Sequence, residues 1–389
     1  MKVRAGIRLV FSRECKRIPS SKVCIWGIVI APILSMIILL GMMRNGLPQQ
    51  IPIAVVDYDN SSTSRTLIRQ LDAFPKTNVK FKSLSFREAR IKMEKMEIFA
   101  ILTIPKDFAR EAVSGDRPKL VYYTNNSFLI SGSLLFQDLK IISTLAAASV
   151  GLQTGVAKGY TEGQLMPIVR PISVEAHPLG NPWLNYSVYL NNMFLPGILQ
   201  LIVMIFTISG FGAEVKSGNG RKLLRMSGSS IFRTIAGKLL PYTILYTIIA
   251  LLMTSVLYHY NGFPLNSGFL PMFFGYFLLI IASQGFGLIL LAAFKNYRFS
   301  VSIACLVCMI AFSLSGFSFP GQAMHPSLYA LSFILPLKHF FLIYVDQALN
   351  GISIGYSMYH YAALLGFLFL SVFFFGRIRK FLERNVYES

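Results

Sequence analysis

The chain has 389 residues, 54% of them hydrophobic and 14% charged, with a mean hydropathy of +0.55, whereas soluble globular chains carry about 25% charged residues. Its 37 Lys and Arg against 17 Asp and Glu give a formal charge of +20, a nucleic-acid signal in a soluble chain but, beside this apolar content, the mark of a membrane protein's cytoplasmic face. A disordered tail, a small disulfide scaffold and an ordinary cytosolic enzyme are excluded.

The leader, residues 1–22, carries Lys2, Arg4, Arg8, Arg13, Lys16, Arg17 and Lys22, and an uncharged apolar run at 23–43 follows it. A bilayer span takes about 20 such residues. No small-x-small cleavage site stands behind the run, so the pair predicts an uncleaved signal anchor rather than a signal peptide.

Residues 44–192 predict an inserted extracytoplasmic α/β domain. IAVVD at 53–57 reads as a strand, and Asn60, Ser61 and Ser62 offer caps for a helix running to residue 73. Asp57 and Asp59 fit either a cation site or a strand-end turn that uses Asp for local backbone hydrogen bonds, the commoner arrangement. Phe86, Ala89, Met93 and Met96 share one face of a predicted helix over 85–97; FAILTIP at 99–105 is the next strand, with Pro105 in the first turn of the helix KDFAREAV. KLVYY at 119–123 predicts a strand, 131–158 a long helix, and ISVEAH at 172–177 a last strand.

Five further spans are predicted at 193–213, 239–258, 272–294, 300–319 and 357–376, making six transmembrane helices in a mainly α integral membrane protein. The stretch 328–345 is also apolar, but Pro336 and Lys338 interrupt it. It predicts a re-entrant or interfacial helix pair within 321–350, the alternative being a loop with a hydrophobic face. Basic residues set the orientation: the leader, the loop 214–238, Lys295 and Arg298, and the tail 377–389 with Arg377, Arg379, Lys380 and Arg384 fall on one side. Both termini are therefore expected in the cytoplasm and 44–192 outside. Cys305 and Cys308 spell CxxC inside a span, where helix packing is the expected role, and the outer domain has no cysteine.

None of the six spans contains Asp, Glu, Lys or Arg, and His360 is their ionisable side chain of the proton-relay type. Ion-coupled transporters need such groups at membrane depth. An energy source outside the spans is therefore expected. The nearest thing to the phosphate cradle GxxxxGK[ST] is Gly237-Lys238, but Phe232 and Leu239 stand where Gly and Ser or Thr belong, so ATP hydrolysis is not expected of this chain. No catalytic set and no metal cluster is expected, because His177, His259, His325, His339 and His360 are scattered.

In the loop 214–238, Glu214, Lys216, Arg221, Lys222 and Arg225 surround Leu223 and Leu224, ahead of the turn Ser227-Gly228-Ser229. A short amphipathic helix of this kind lies on a membrane surface or docks into a soluble partner; the plainer reading is a connector whose charges fix topology. Gln200, Gln284, Ser315, Phe194, Phe317 and Phe319 fit either a substrate path or helix packing and lipid contact.

The whole chain resembles the type-two membrane permeases of ABC exporters, also called type V, in the long form with an extracytoplasmic domain after the first span. The resemblance rests on IPIAVVDYDNSSTSRTLIRQLD at 51–72, FAILTIPKDF at 99–108, the loop from Glu214 to Lys238, and SGFSFPGQAMHPSLYALSFILPLKHF at 315–340. In the last, Gly316 and Pro320 mark the exit from span five and Pro336 the Leu-Pro-Leu segment. The resemblance implies that the leader is a connecting helix at the inner surface. It makes the loop from Glu214 to Gly228 a coupling helix on a separate ATPase subunit, through Glu214, Gly218, Arg221, Lys222, Leu223, Leu224 and Arg225. Gly218 and Leu223 match the family's loop pattern, while Asn219 replaces its Thr and Arg221 its Glu. It implies no cofactor on this chain, ATP and Mg in the partner, a second permease copy or paralogue, a periplasmic adaptor, the bilayer, and no nucleic acid. Aspartates at positions 223 and 224 would then release the ATPase. A receptor or anchor with an extracytoplasmic ligand-binding domain is the competing reading, distinguished by the lack of a dedicated ATPase.

Overall fold

The computed structural model describes residues 6–83, 85–114, 116, 118–169, 180–182, 184–294 and 296–383. The strand expected at 172–177, together with Lys2, Arg4, Lys295 and Arg384, lies outside the described residues. The chain divides into two units, Met1–Arg44 with Pro178–Ser389, and Asn45–His177.

The first unit opens with α1 (Ile7–Ser20), whose Pro19 falls in the last turn, and after an extended Ser21 continues as α2 (Lys22–Met42). Ser21 caps the new helix by accepting from the Cys24 amide. A leader and a span are thus two helices, separated where Ser21 leaves the helical region.

The second unit holds β1 (Ile51–Asp57), α3 (Ser62–Asp72), β2 (Thr77–Ser83), α4 (Phe86–Glu94), β3 (Ala100–Ile104), α5 (Phe108–Ser114), β4 (Val121–Thr124), α6 (Leu129–Ala157) and α7 (Glu162–Val169). The sheet order is β2-β1-β3-β4, with β1 parallel to both neighbours and β4 antiparallel to β3. Alternate β1 residues bury on opposite faces: Ile53 and Val55 against Leu67, Leu71, Leu135 and Leu139, and Ala54 and Val56 against Ala89 and Ile101. This two-sided burial is why the strand reads as an unbroken apolar run. The edge strand β2 escapes the sequence pattern because Lys80 and Lys82 interrupt it, as charges do on sheet edges. Pro105 lies ahead of α5 rather than in its first turn, since the chain passes through a left-handed Asp107 (φ 60°) before the helix begins. The Asp57 turn forms as expected: its Oδ1 accepts from the amides of Asp59 and Asn60 and its Oδ2 from Ser64 Oγ.

The chain returns to the first unit as α8 (Tyr186–Lys216), α9 (Gly220–Met226), α10 (Ile231–Tyr260), α11 (Phe269–Phe294), α12 (Tyr297–Leu314), α13 (Pro326–Ser332), α14 (Pro336–Asn350), α15 (Ile354–Val372) and α16 (Phe375–Glu383). Among the described residues six helices are long and apolar enough to cross a membrane: α2, α6, α8, α10, α11 and α12. Two bent pairs, α13 with α14 at 86° and α15 with α16 at 46°, pass the same test. The protein is therefore mainly helical and multi-pass. Helix α6 meets the length criterion, yet its Leu134, Leu135, Leu139 and Ile142 are buried with the β1 and β3 side chains, which ties it to the sheet.

Helix α11 is the centre of the bundle, packed by α8, α10, α12 and α15, and 67% of its apolar window is buried, against 22% for α2 and α12. The expected sixth span, 357–376, ends early at Val372, and the basic residues that follow it lie on α16, bent 46° from α15. The expected fifth span, 300–319, stops at Leu314 because Gly316 takes φ +98°, so Phe317 and Phe319 follow the helix rather than continue it. The break expected at Pro336 is present, with the proline in the first turn of α14.

Candidate functional site

Helices α8 and α10 extend beyond the apolar runs read from the sequence, and the extra turns carry charge. Helix α1 crosses α10 at Gly237, where a Cβ would stand 2.9 Å from the Ile7 carbonyl oxygen. A glycine at this crossing lets the two backbones meet. The crossing sets Lys238 Nζ 3.0 Å from Glu14 Oε1 and 3.0 Å from Glu214 Oε1. Glu214 in turn accepts from Arg13 Nη2 at 2.8 Å and Arg17 Nη1 at 2.6 Å, and the Tyr242 hydroxyl donates to Glu14 Oε2 at 3.4 Å. Glu14, Glu214 and Lys238 are no more than 1% exposed, while the Arg13 and Arg17 side chains are 27% and 30% exposed. Burial works against the Arg17 charge, but the carboxylates of Glu14 and Glu214 outweigh it and hold the guanidinium above its ordinary value. A cluster of three cations and two carboxylates thus pins the leader to the ends of α8 and α10. Buried ions are costly unless paired, so this arrangement specifies one seat for α1.

The sequence pointed to Glu214 alone. Glu14, Arg13, Arg17 and Lys238 are additions of the structure, and the available signal was a lone acid among the leader's bases with Arg17 three residues on.

Helix α9 is the short helix expected in the loop, and its residues divide by direction. Leu223 and Leu224 point inward, Leu224 packing with Ile378, Phe381 and Leu382 of α16. Gly220 approaches α16 so closely that a Cβ would lie 2.2 Å from the Leu382 carbonyl oxygen. Arg221 Nε donates to the Glu383 carbonyl at 3.0 Å, and the Gly6 amide donates to the Met226 carbonyl at 3.0 Å. The α9 helix is thereby cradled between α1 and α16. Arg221, Lys222 and Arg225 are exposed, Gly218 (φ +68°) makes the turn out of α8, and Phe232 is 60% exposed at the start of α10. Aspartate at positions 223 and 224 would accordingly unseat α9 from its own protein, so it does not isolate an external contact.

Of the residues read as a path, Phe194, Ser315 and Phe317 come together. Phe317 stacks on Tyr189 with ring centroids 4.6 Å apart and meets Phe194 edge-on at 5.7 Å; the Tyr189 hydroxyl donates to the Phe317 carbonyl; Ser315 Oγ donates to the Phe312 carbonyl, and Phe312 packs on Phe194. Phe319 lies outside this cluster and is exposed. Gln200 Nε2 sits 3.6 Å from Cys308 Sγ and Gln284 Oε1 accepts from Thr243 at 2.9 Å, leaving Gln200 Oε1 and Gln284 Nε2 without partners among the described residues. Asn191 Oδ1, Tyr246 OH and Tyr276 OH are likewise buried and unpartnered there. Pro320 precedes a single 3-10 turn at Gly321–Ala323, and beyond it the buried Lys338 lies 5.4 Å from the Tyr329 ring and 5.7 Å from that of Phe333. His339 and His360 meet Nδ1 to Nδ1 at 3.2 Å, a pairing hidden by their separation in sequence. Among the described residues no three His, Cys, Asp or Glu gather in a way that fits a metal ion.

A bundle of long apolar helices with charge confined to their ends is a multi-pass membrane protein. The chain belongs to the ABC-2 family transporter proteins, matching that family over residues 22–378. It is also similar to the probable multidrug ABC transporter permease YbhS of Escherichia coli K12 and to the protein of the same description in Escherichia coli O157:H7. Each is 27% identical over 165 residues, 41% of this chain and 43% of the relative. The matched stretch thus spans less than half of these relatives. The family match and the apolar helices together make the chain a multi-pass membrane protein of the ABC-2 transporter family.

Proposed function

We propose that the chain is the permease subunit of an exporter that moves amphiphilic drugs or lipids outward across a bacterial inner membrane, powered by a separate ABC ATPase. The observation that carries this reading is α9: a helix wedged between α1 and α16 that buries Leu223 and Leu224 and turns Arg221, Lys222 and Arg225 outward. In this account ATP binding closes a pair of cassettes and displaces α9. The ion cluster of Glu14, Glu214 and Lys238 passes that displacement to α8 and α10 as one body. Both termini lie in the cytoplasm and residues 45–177 outside, in accord with the basic residues of the leader, α9 and α16. A second permease copy or paralogue covers helices such as α2 and α12, whose apolar windows are mostly unburied. A periplasmic adaptor meets the outer unit. Phe194, Gln200, Gln284, Ser315 and Phe317 line the path, supported by the unpartnered polar atoms of the two glutamines. The relatives' description as multidrug permeases suggests the cargo class.

Affinity purification of the tagged chain from native membranes tests the coupling surface. An ATPase carrying GxxxxGK[ST] is expected to accompany the wild type and to be lost from Lys222→Glu/Arg225→Glu, with both proteins equally folded. Retention of the ATPase by the charge-reversed variant refutes the assignment of α9.

A further inference from the structure

The outer face of α6 carries Ser143, Ala147, Val150, Thr154 and, just past the helix, Lys158, spaced by three and four residues and therefore aligned on one stripe. Their short side chains leave a groove, flanked by Phe108 of α5, Leu120 ahead of β4 and Leu165 of α7, that is partly open to solvent and has a volume of about 730 Å3 within the sheet unit. Helix α7 seats directly on α6 at Gly155, where a Cβ would lie 2.4 Å from Leu165 Cδ2. This is the size range, roughly 300–1,000 Å3, and the largely apolar lining of sites that hold small ligands.

Four polar side chains, Ser143, Thr154, Lys158 and Tyr160, interrupt the apolar lining, and those of Thr154 and Lys158 lie on the α6 stripe with no partner among the described residues. Serines and threonines inside helices commonly return the hydroxyl to the carbonyl four residues back, as Ser143 does to Leu139 at 2.7 Å and Thr144 to Lys140 at 2.9 Å. Thr154 does not: its Oγ1 is buried and has no partner among the described residues, although the residue lines the cavity. Buried polar groups left in this state are uncommon. Lys158, one turn further along the same stripe, lines the cavity as well and pairs with no carboxylate among the described residues. Apolar walls, one unpartnered hydroxyl and one unpaired ammonium at the end of the stripe together select a molecule with an apolar body and a single acidic head.

We propose that this cavity binds a single-chain anionic amphiphile of the fatty-acid class, its tail against Phe108, Leu120 and Leu165, its carboxylate accepting from Thr154 Oγ1 and paired with Lys158. The inference rests on the exporter reading only for the role of such a molecule as cargo; binding itself needs neither ATP nor the ATPase.

The full chain in phosphatidylcholine nanodiscs, labelled with a diazirine-bearing palmitate and mapped by mass spectrometry, tests it without nucleotide. Label is expected on the α6 stripe and α7, displaced by palmitate at least about tenfold better than by hexadecanol, a discrimination of the size a charge-assisted hydrogen bond gives. Ala147→Trp, which fills the groove, is expected to abolish that label, and Thr154→Val and Lys158→Gln to lower it several-fold. Thr154→Val removes a hydroxyl that has no partner among the described residues, so a merely structural role predicts unchanged labelling and unchanged or higher thermal stability. Label confined to the helical bundle, equal displacement by hexadecanol, or labelling indifferent to Ala147→Trp overturns the proposal. So does a second copy of the chain trapped in the groove by a photoreactive residue at position 147. Retained palmitate binding alongside failed ATPase capture would separate this site from the exporter reading.

Discussion

Replacing Lys238 by Met removes the cation at the crossing of α1 and α10 and leaves two carboxylates in unequal positions. Glu214 keeps Arg13 at 2.8 Å and Arg17 at 2.6 Å, whereas Glu14, fully buried, keeps only the Tyr242 hydroxyl at 3.4 Å and the same two arginines at 3.7 and 3.6 Å. Each 3.0 Å contact of the ammonium is worth about 5 kcal/mol at an effective dielectric of about 20 before desolvation is subtracted. Stripping one partner from a buried pair costs about 3–5 kcal/mol net, because the other charge is left uncompensated. The cost therefore falls on Glu14, and removing that charge as well should relieve it: Glu14→Leu/Lys238→Met should recover most of the loss. A denaturant titration in detergent micelles, followed by size-exclusion recovery of folded protein, reads both variants. A Lys238→Met protein as stable as wild type, or a double variant no better than the single, would refute the seating of α1 by this cluster.

Gly237→Val adds bulk where a Cβ already meets the Ile7 carbonyl oxygen at 2.9 Å; it should lift α1 away and expose the leader to limited proteolysis while α10 stays intact. Gly316→Ala places a side chain at φ +98° and 3.0 Å from Lys338 Nζ; a loss of about 1–2 kcal/mol in the same titration is expected from the backbone alone. Asp57→Ala deletes the acceptor of two amides and of Ser64 Oγ at the end of β1 and should cost about 0.5–2 kcal/mol, as lost caps do; amide hydrogen exchange should rise first at residues 58–64.

The spans were legible because bilayer thickness demands a long apolar run: four of the six expected spans appear as single helices of the bundle over nearly their whole length, the fifth ends early at Leu314, and the sixth is α15 bent into α16. Their ends were not legible, because hydropathy marks where the apolar run stops and not where helical hydrogen bonding does. Helix α8 continues to Lys216 and α10 begins at Ile231, and those extra turns carry Glu214 and Lys238. For the same reason the chargeless spans and the buried ion cluster are both true of the same helices. The strand β2 was hidden by lysines that belong on a sheet edge, and α7 by Pro167 within it. The amphipathic pattern of α9 was visible, but a pattern does not say which neighbour covers the apolar side; here α16 and α1 do, so that of the residues expected to couple, Leu223 and Leu224 face the protein itself and Arg221, Lys222 and Arg225 stay exposed. Glu14 and Lys238 lie far apart in sequence, and only the glycine crossing brings them together.

ATP-dependent uptake of a fluorescent amphiphile into inside-out membrane vesicles tests the export account most directly, comparing vesicles holding the chain and its co-purified ATPase with vesicles holding Lys222→Glu/Arg225→Glu and the same ATPase. The account predicts uptake that requires ATP in the first and falls to the level of ATP-free vesicles in the second. Uptake undiminished by the charge reversal, or none above background in vesicles where the wild-type complex is intact and hydrolysing ATP, would contradict it.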